Sequence, residues 1–420
     1  MMADASANPS RTERVPHWRP AGGHPMTRKA FLHALIGRKE TATQLVVDPD
    51  TCVAGKSDCR ICADHCPTGA LVIEKQIFLN PDLCDACGAC IRWCPLGAIA
   101  FESFSNREIM TRLSKIAAPC QASDEPPAAG ILFLCRKSAA QLPELIEKAK
   151  RSLRFHILPV PCIGALSPLV LLESVRLGPG PVICACAVPE CPNHASARDC
   201  QQLIASLSRL TTPGEKRDPA PALLVLGADE LRALIDGPEK GIGCEERSPP
   251  PPAPPAEEDA YRPALIRRVG EMTQTMPSPT RLNGLPLPFF DLHVDRSTCT
   301  LCGACKRTCP TGALTLVAGN TRRLAFSTRA CIGCRTCVNR CPEGAVSVEA
   351  VFLPQAVAEG TECIKMEAEN GCCKNCGKPV SNPLLLKKIE ARMRSQGVVD
   401  SACDSVYLCE ACKRMQSLFS

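Results

Sequence analysis

Residues 299–310 read Cys299-Thr-Leu-Cys302-Gly-Ala-Cys305-Lys-Arg-Thr-Cys309-Pro310, and residues 331–342 read Cys331-Ile-Gly-Cys334-Arg-Thr-Cys337-Val-Asn-Arg-Cys341-Pro342. Each is a C-x2-C-x2-C-x3-C-P run. The two-residue spacers let three thiolates of one tight loop face a single iron–sulfur cubane, while the cysteine before the proline points across to the neighbouring cluster. The spacing therefore assigns one [4Fe–4S] cluster to Cys299, Cys302, Cys305 and Cys341, and a second to Cys331, Cys334, Cys337 and Cys309. Zinc or disulfide bonding is the competing explanation, and neither requires eight cysteines in this doubled order.

The doubled run resembles the bacterial two-cluster ferredoxins, and a second copy lies near the other end of the chain. Its later half, Cys84-Asp-Ala-Cys87-Gly-Ala-Cys90-Ile-Arg-Trp-Cys94-Pro95, is regular. Its earlier half is not: six residues, Val53 to Asp58, separate Cys52 from Cys59, with Cys62 and Cys66-Pro67 following. A longer loop adds little closure entropy. The expected ligands are Cys52, Cys59, Cys62 and Cys94 for one cluster, and Cys84, Cys87, Cys90 and Cys66 for the other. The alternative for Cys52 is a spectator thiol beside a three-cysteine cluster. All four runs continue Cys-Pro-x-Gly-Ala into a short β-rich stretch such as Leu71-Val-Ile-Glu74 or Val346-Ser-Val-Glu349, which makes the pattern an internal repeat.

The whole chain has 420 residues, enough for two to four domains, and 31 cysteines. The cysteine spacing favours metal binding over a disulfide scaffold, and reduced thiols point to the cytoplasm. No stretch reaches the ~18 uncharged apolar residues needed to span a bilayer, since Glu173 and Arg176 interrupt the apolar run from Leu166 to Leu177. A net charge of +6 with 4% aromatic residues offers no stacking platform or basic stripe for nucleic acid. It suits docking to an acidic electron carrier. Residues 1–45 read as a disordered leader without an export signal, and Met26 offers an alternative start.

Between about residues 130 and 240, short apolar runs alternate with helical segments. The strands are read at Ile131–Leu134, Phe155–Val160, Val182–Ala185 and Ala222–Leu226. The helices are read at Ala139–Leu153, Ser167–Leu177, Arg198–Leu210 and Asp229–Ile235. This alternation predicts an open parallel α/β sheet. Cys135, Cys162, Cys186 and Cys191 follow three strands at their carboxyl ends, where such folds gather ligands. Four thiols there suffice for a metal centre, and incidental buried cysteines are the alternative. From Ile131 to about Leu210 the chain resembles the small iron–sulfur (delta) subunit of methyl-viologen-reducing hydrogenases, which accompanies heterodisulfide reductase. The matching features are Cys135, the Pro161-Cys162-Ile-Gly turn and Cys186-Ala-Val-Pro-Glu-Cys191. The resemblance implies a [2Fe–2S] cluster on these cysteines and a relay into flavin-bearing partners. The chain departs from it in lacking a second cysteine just after Cys135 and in having an extra one, Cys184.

Residues 245–288, with Ser248-Pro-Pro-Pro-Pro-Ala-Pro-Pro255, read as a polyproline linker. The regular ferredoxin-like unit spans about 289–353 and its irregular counterpart about 46–105. Residues 361–420 carry Cys373-Lys-Asn-Cys376 and Cys409-Glu-Ala-Cys412, a pair of knuckles suited to tetrahedral Zn²⁺ in a zinc-ribbon-like module. Rubredoxin-like iron is the rival there, and Cys372 an alternative ligand. The fold class expected is α/β plus α+β: two dicluster units, a parallel α/β domain between them in the chain, and the C-terminal module.

No radical S-adenosylmethionine run, Walker loop or dinucleotide fingerprint is present. His65 and His194 read as local hydrogen bonders, and Arg92, Lys306, Arg335 and Arg340 as surface cations. The expected function is a non-catalytic electron-transfer subunit of an oxidoreductase complex, whose redox partner (a flavin, molybdenum or hydrogenase subunit, or a soluble ferredoxin) holds the substrate. Hydrogenase, formate dehydrogenase and heterodisulfide-reductase-like complexes are the candidate settings. A self-contained flavin-dependent reductase and a redox-sensing regulator with a zinc module are the alternatives.

Overall fold

The structure is a computed structural model and describes residues 45–102, 104–117, 130–141, 144, 155–178, 182–186, 191–211, 223–236, 260–273, 280–317 and 321–419. The leader and the polyproline run lie outside these residues, as does most of the helix expected over Ala139–Leu153.

In the first cysteine-rich unit β1 (Leu45–Val47) pairs antiparallel with β4 (Ile99–Phe101), and β2 (Leu71–Ile73) with β3 (Ile77–Leu79). The second unit repeats this plan. There β10 (Phe290–Val294) pairs with β13 (Val346–Phe352), which also meets β9 (Leu282–Asn283), and β11 (Leu314–Val317) pairs with β12 (Thr321–Phe326). The strands start where the Cys-Pro-x-Gly turn releases the chain. In all four copies that glycine has positive φ, from 60° at Gly344 to 67° at Gly69, Gly97 and Gly312, a region costly for a side chain. Alternating side chains then send Leu314, Val346 and Ile99 into the cores.

The α/β segment forms a four-stranded, wholly parallel sheet in the order β6 (Phe155–Val160), β5 (Gly130–Cys135), β7 (Val182–Ala185), β8 (Leu223–Leu226). Central β5 is buried along all six residues, which explains its unbroken apolar run. Helix α5 (Pro168–Leu177) is capped by Ser167 Oγ, which accepts from Val170 N at 3.4 Å, and has proline at its first position. It is buried on most of its surface because α3 (Asn106–Ala117) and α8 (Tyr261–Thr273) cover it.

Helix α8 corrects the expected linker. Residues 245–259 lie outside the described part, but Tyr261–Thr273 is a packed helix with Ala264, Leu265 and Val269 buried. It packs on α5 and on α11 (Pro354–Glu359), so it joins the α/β domain to the second unit. Arg262 donates to the carbonyls of Pro288 (3.0 Å), Arg329 (2.8 Å) and Cys331 (2.6 Å), and Arg268 forms a buried ion pair with Glu173. Both arginines thus find acceptors on segments far away in the chain, and Arg268 also donates to Glu271 of its own helix at 2.6 Å.

A second boundary also moves. Strand β14 (Cys363–Glu369), expected in the C-terminal module, completes the β11–β12–β14 sheet of the second unit. The module beyond it contains the β15 (Gly371–Cys372)–β16 (Pro379–Ser381) hairpin, α12 (Pro383–Ser395), α13 (Asp400–Asp404) and α14 (Glu410–Phe419).

Candidate metal centres

Each regular run is a tight loop whose spacers turn left-handed. The second and third spacer residues have φ of 52° and 72° at Ala86 and Gly88, 52° and 74° at Leu301 and Gly303, and 72° and 61° at Gly333 and Arg335. Alanine, leucine and arginine there are strained, which a structure retains where the loop's shape matters. In the second unit the loops close two cavities. One is lined by Cys299, Cys302, Cys305 and Cys341 with Leu301, Leu316, Leu324 and Val346. The other is lined by Cys309, Cys331, Cys334 and Cys337 with Leu292, Phe326, Ile332 and Val348. The fourth cysteine of each run thus lies in the other run's cavity.

The thiols fit cationic clusters. Burial pushes Cys305 and Cys331 up to about 11 and Cys337 up to about 12, with neighbouring thiolates adding to the shift. Four such groups ionise together only around a compensating cation, which an iron–sulfur core supplies. Backbone amides also point at sulfur: Ala70 N to Cys66 Sγ and Ala98 N to Cys94 Sγ at 3.3 Å, and Ala345 N to Cys341 Sγ at 3.4 Å.

In the first unit, burial together with the charges of Cys59, Cys94 and Cys52 raises Cys62 to about 12. Cys90 is raised by burial and then by Cys87, Cys62, Cys84 and Cys66. Cys52 therefore stands among its expected co-ligands. It is held by a turn that the sequence repeats as Asp48-Pro-Asp-Thr-Cys52 and Asp295-Arg-Ser-Thr-Cys299. Thr51 Oγ1 donates to Asp48 Oδ2 at 2.5 Å and Thr298 Oγ1 to Asp295 Oδ2 at 3.0 Å, while Cys52 N and Cys299 N donate to the same aspartates' carbonyls at 2.9 and 3.0 Å. The repeated Asp-x-x-Thr-Cys signal was legible in the sequence but escaped the cysteine-based reading. The six-residue spacer contains a 3-10 turn, Ala54–Lys56, pinned by Ser57 Oγ donating to Val53 O at 2.7 Å.

At the carboxyl ends of the parallel strands, Cys135 is drawn down to about 6 by a hydrogen bond with Cys186, with Ser138 assisting; Cys135 Sγ and Ser138 Oγ lie 3.0 Å apart. Cys162 is pushed up to about 12 by burial, with Cys87, Cys135 and Cys191 as charged neighbours. The four expected cysteines are thus gathered there, while Cys184 and Cys200 form a separate, wholly buried pair. Ser138 was not anticipated. Residues 187–190 lie outside the described part.

Arg92 corrects its reading as a surface cation. It is only 3% exposed and donates to Gly164 O (3.1 Å), Ser196 O (2.8 Å) and Asp199 Oδ2 (3.0 Å). It clamps the Cys84–Cys94 loop to the Cys162 turn and to the start of α6 (His194–Thr211). Asn193 Nδ2 donates to Asp85 O at 3.0 Å and Ser196 Oγ to Cys87 O at 3.3 Å. The approach leaves no room for a side chain at Gly88, whose Cβ would fall 2.2 Å from that of Ala165. His65, by contrast, is the local hydrogen bonder expected: its Nδ1 lies 2.8 Å from Ile61 O and its ring stacks on Trp93 at 4.1 Å.

In the C-terminal module the sulfurs of Cys373, Cys376, Cys409 and Cys412 lie within 4.8 Å of one another, with Cys376 and Cys409 3.5 Å apart. Four sulfurs about 2.3 Å from a tetrahedral metal would be about 3.8 Å apart, so the group fits one ion. Cys372 is exposed and lies outside this group. Among the described residues no helix is long and apolar enough to cross a membrane.

The 4Fe-4S dicluster domain family matches residues 298–345. A ferredoxin-type protein NapF of Haemophilus influenzae is 35% identical over 57 residues, 12% of this chain and 32% of that protein. Its Escherichia coli K12 counterpart is 38% identical over 60 residues, 13% of this chain and 37% of the relative. The chain thus spans only about a third of these relatives' length. A "Ferredoxin 7Fe" of Hydrogenibacillus schlegelii is 36% identical over 55 residues, which cover 13% of this chain and 70% of that protein. With its doubled cysteine runs and strand pairing, the chain belongs, through one of its segments, to the 4Fe-4S dicluster ferredoxins.

Proposed function

We propose that the chain is an iron–sulfur electron-transfer subunit that holds four [4Fe–4S] clusters on its two cysteine-rich units and a [2Fe–2S] cluster on Cys135, Cys162, Cys186 and Cys191. In this reading Zn²⁺ binds Cys373, Cys376, Cys409 and Cys412 and fastens the C-terminal module. The observation that carries the reading is the crossed lining of the two four-thiol cavities in the second unit. When bound, the clusters supply one-electron carriers. The chain's own residues fix their spacing, wall them with apolar side chains and aim amides at their sulfurs, which sets potential. The substrate belongs to a redox partner.

Anaerobic purification with iron and sulfide analysis tests this. About eighteen irons per chain are expected, four cubanes and one two-iron centre. Fewer than eight irons, or a bound flavin with sub-stoichiometric iron, would refute it. Cys186→Ala is expected to remove a [2Fe–2S] EPR signal and leave the cubane signals, and an unchanged spectrum refutes the α/β ligand set.

A further inference from the structure

We propose that the lengthened six-residue spacer Val53–Asp58 is the joint through which electrons pass between the two dicluster units, with Asp58 as its positioning residue. The proposal rests on the electron-transfer reading and adds an order of centres to it. That order is the α/β thiols, then Cys66/Cys84/Cys87/Cys90, then Cys52/Cys59/Cys62/Cys94, then Cys309/Cys331/Cys334/Cys337, and last Cys299/Cys302/Cys305/Cys341.

The lengthened spacer looks like a defect in the first cysteine run, but its last residue touches the other unit. Asp58 N donates to Thr336 Oγ1 at 2.9 Å across 278 positions of sequence. Asp58 immediately precedes Cys59 and Thr336 immediately precedes Cys337, so this hydrogen bond joins the neighbours of two candidate ligands belonging to different units. Thr336 is 3% exposed, so the contact is dry on that side. The Asp58 carboxylate accepts from Asn339 Nδ2 at 3.4 Å and lies 3.6 Å from Arg340 Nη2, which brackets the bond with a charge pair.

The spacer is also held rigid. A side chain at Gly55 would collide with Lys75 O of the β2–β3 turn, at 2.4 Å, and Cys59 N donates to Ser57 Oγ at 3.3 Å. On its other flank the first unit meets the α/β domain through Arg92, Asn193 and Ser196. The first unit therefore touches both the α/β domain and the second unit, although the α/β domain lies between the two units in the chain. Each hop oxidises one centre by one electron and reduces its neighbour by one, with no proton or group transferred. Dithionite supplies the electrons in the assay.

The test compares EPR line broadening and power saturation in the dithionite-reduced full-length chain. Coupling within each unit is common to all variants, so differences report the joint. Asp58→Arg with full iron content is expected to lose the cross-unit part of the broadening, and Asp58→Arg combined with Arg340→Glu to regain it. Should Asp58→Arg lose iron, Thr336→Val, which deletes the acceptor hydroxyl from the other side, is expected to show the same loss. Identical spectra in wild type and in whichever variant keeps its iron overturn the joint and leave the electron-transfer reading standing. A wild-type chain without four cubanes overturns both.

Discussion

Replacing Arg92 by leucine removes the clamp between the Cys84–Cys94 loop and the α/β domain while keeping much of the side chain's apolar bulk. Three acceptors lose their donor. Two are backbone carbonyls, Gly164 O and Ser196 O, buried beneath the guanidinium, and the third is the Asp199 carboxylate, 47% exposed at its side chain. Water can rehydrate Asp199, so that contact contributes at most about 1 kcal/mol. Gly164 O has no such recourse and costs about 1–3 kcal/mol when stranded, whereas Ser196 O keeps its place in the α6 ladder and loses a charge-assisted bond of about 1.5 kcal/mol. The substitution should therefore weaken this junction by about 3–5 kcal/mol, in the range of a broken buried charge contact. Native-state hydrogen exchange on the cluster-loaded chain reads it locally. Amides of Ile163–Ala165 and of Ala197–Ile204 are expected to lose protection by a factor of about 10² or more, a 1.4 kcal/mol change being tenfold. Arg92→Lys should lie between the two, because an ammonium keeps the charge but not the planar fork. A loss below about threefold in Arg92→Leu, with iron content intact, would refute the claim that these buried carbonyls depend on Arg92.

Cys52→Ser should remove one cubane's absorbance and EPR signal and leave the other three, whereas unchanged iron and spectra would make Cys52 a spectator. Hydrogen bonds from Thr51 and Ser297 hold the Asp48 and Asp295 carboxyls below their ordinary range. Their stabilising effect is therefore present above the unfolded value near pH 4 and lost as pH falls through the lower folded values. Asp48→Asn combined with Asp295→Asn should flatten the acid limb of cluster bleaching below about pH 4, and an unaltered acid limb would remove the carboxylates from that role. Cys376→Ser should release one metal ion per chain by elemental analysis and expose Glu410–Phe419 to exchange; retention of the metal would assign it to other ligands.

The cysteine runs were legible because their chemistry is local. Two-residue spacers and a following proline dictate a tight loop and a crossed fourth ligand whatever surrounds them, and the apolar alternation of β5 to β8 needs only nearest neighbours to declare a buried parallel sheet. The repeated Asp-x-x-Thr-Cys turn was equally local, and a comparison of the two units beyond their cysteines would have found it. Other features had no local signature. The helix Tyr261–Thr273 follows a proline-rich run, and those prolines made the whole stretch read as a linker. Arg262 and Arg268 are buried because carbonyls and Glu173 from other segments meet them.

By itself, then, the sequence determined the four cysteine runs, their strand-forming sequels, the parallel α/β segment and the two C-terminal knuckles. Only the tertiary structure decided that Arg92 is a clamp rather than a surface charge, that β14 belongs to the second unit's sheet, and that the first unit stands beside both of the others. Short-range spacing fixes a loop's shape, but the partner of a buried polar group is chosen by packing between segments far apart in the chain. Asp58 and Thr336, 278 positions apart, meet only when both units are in place.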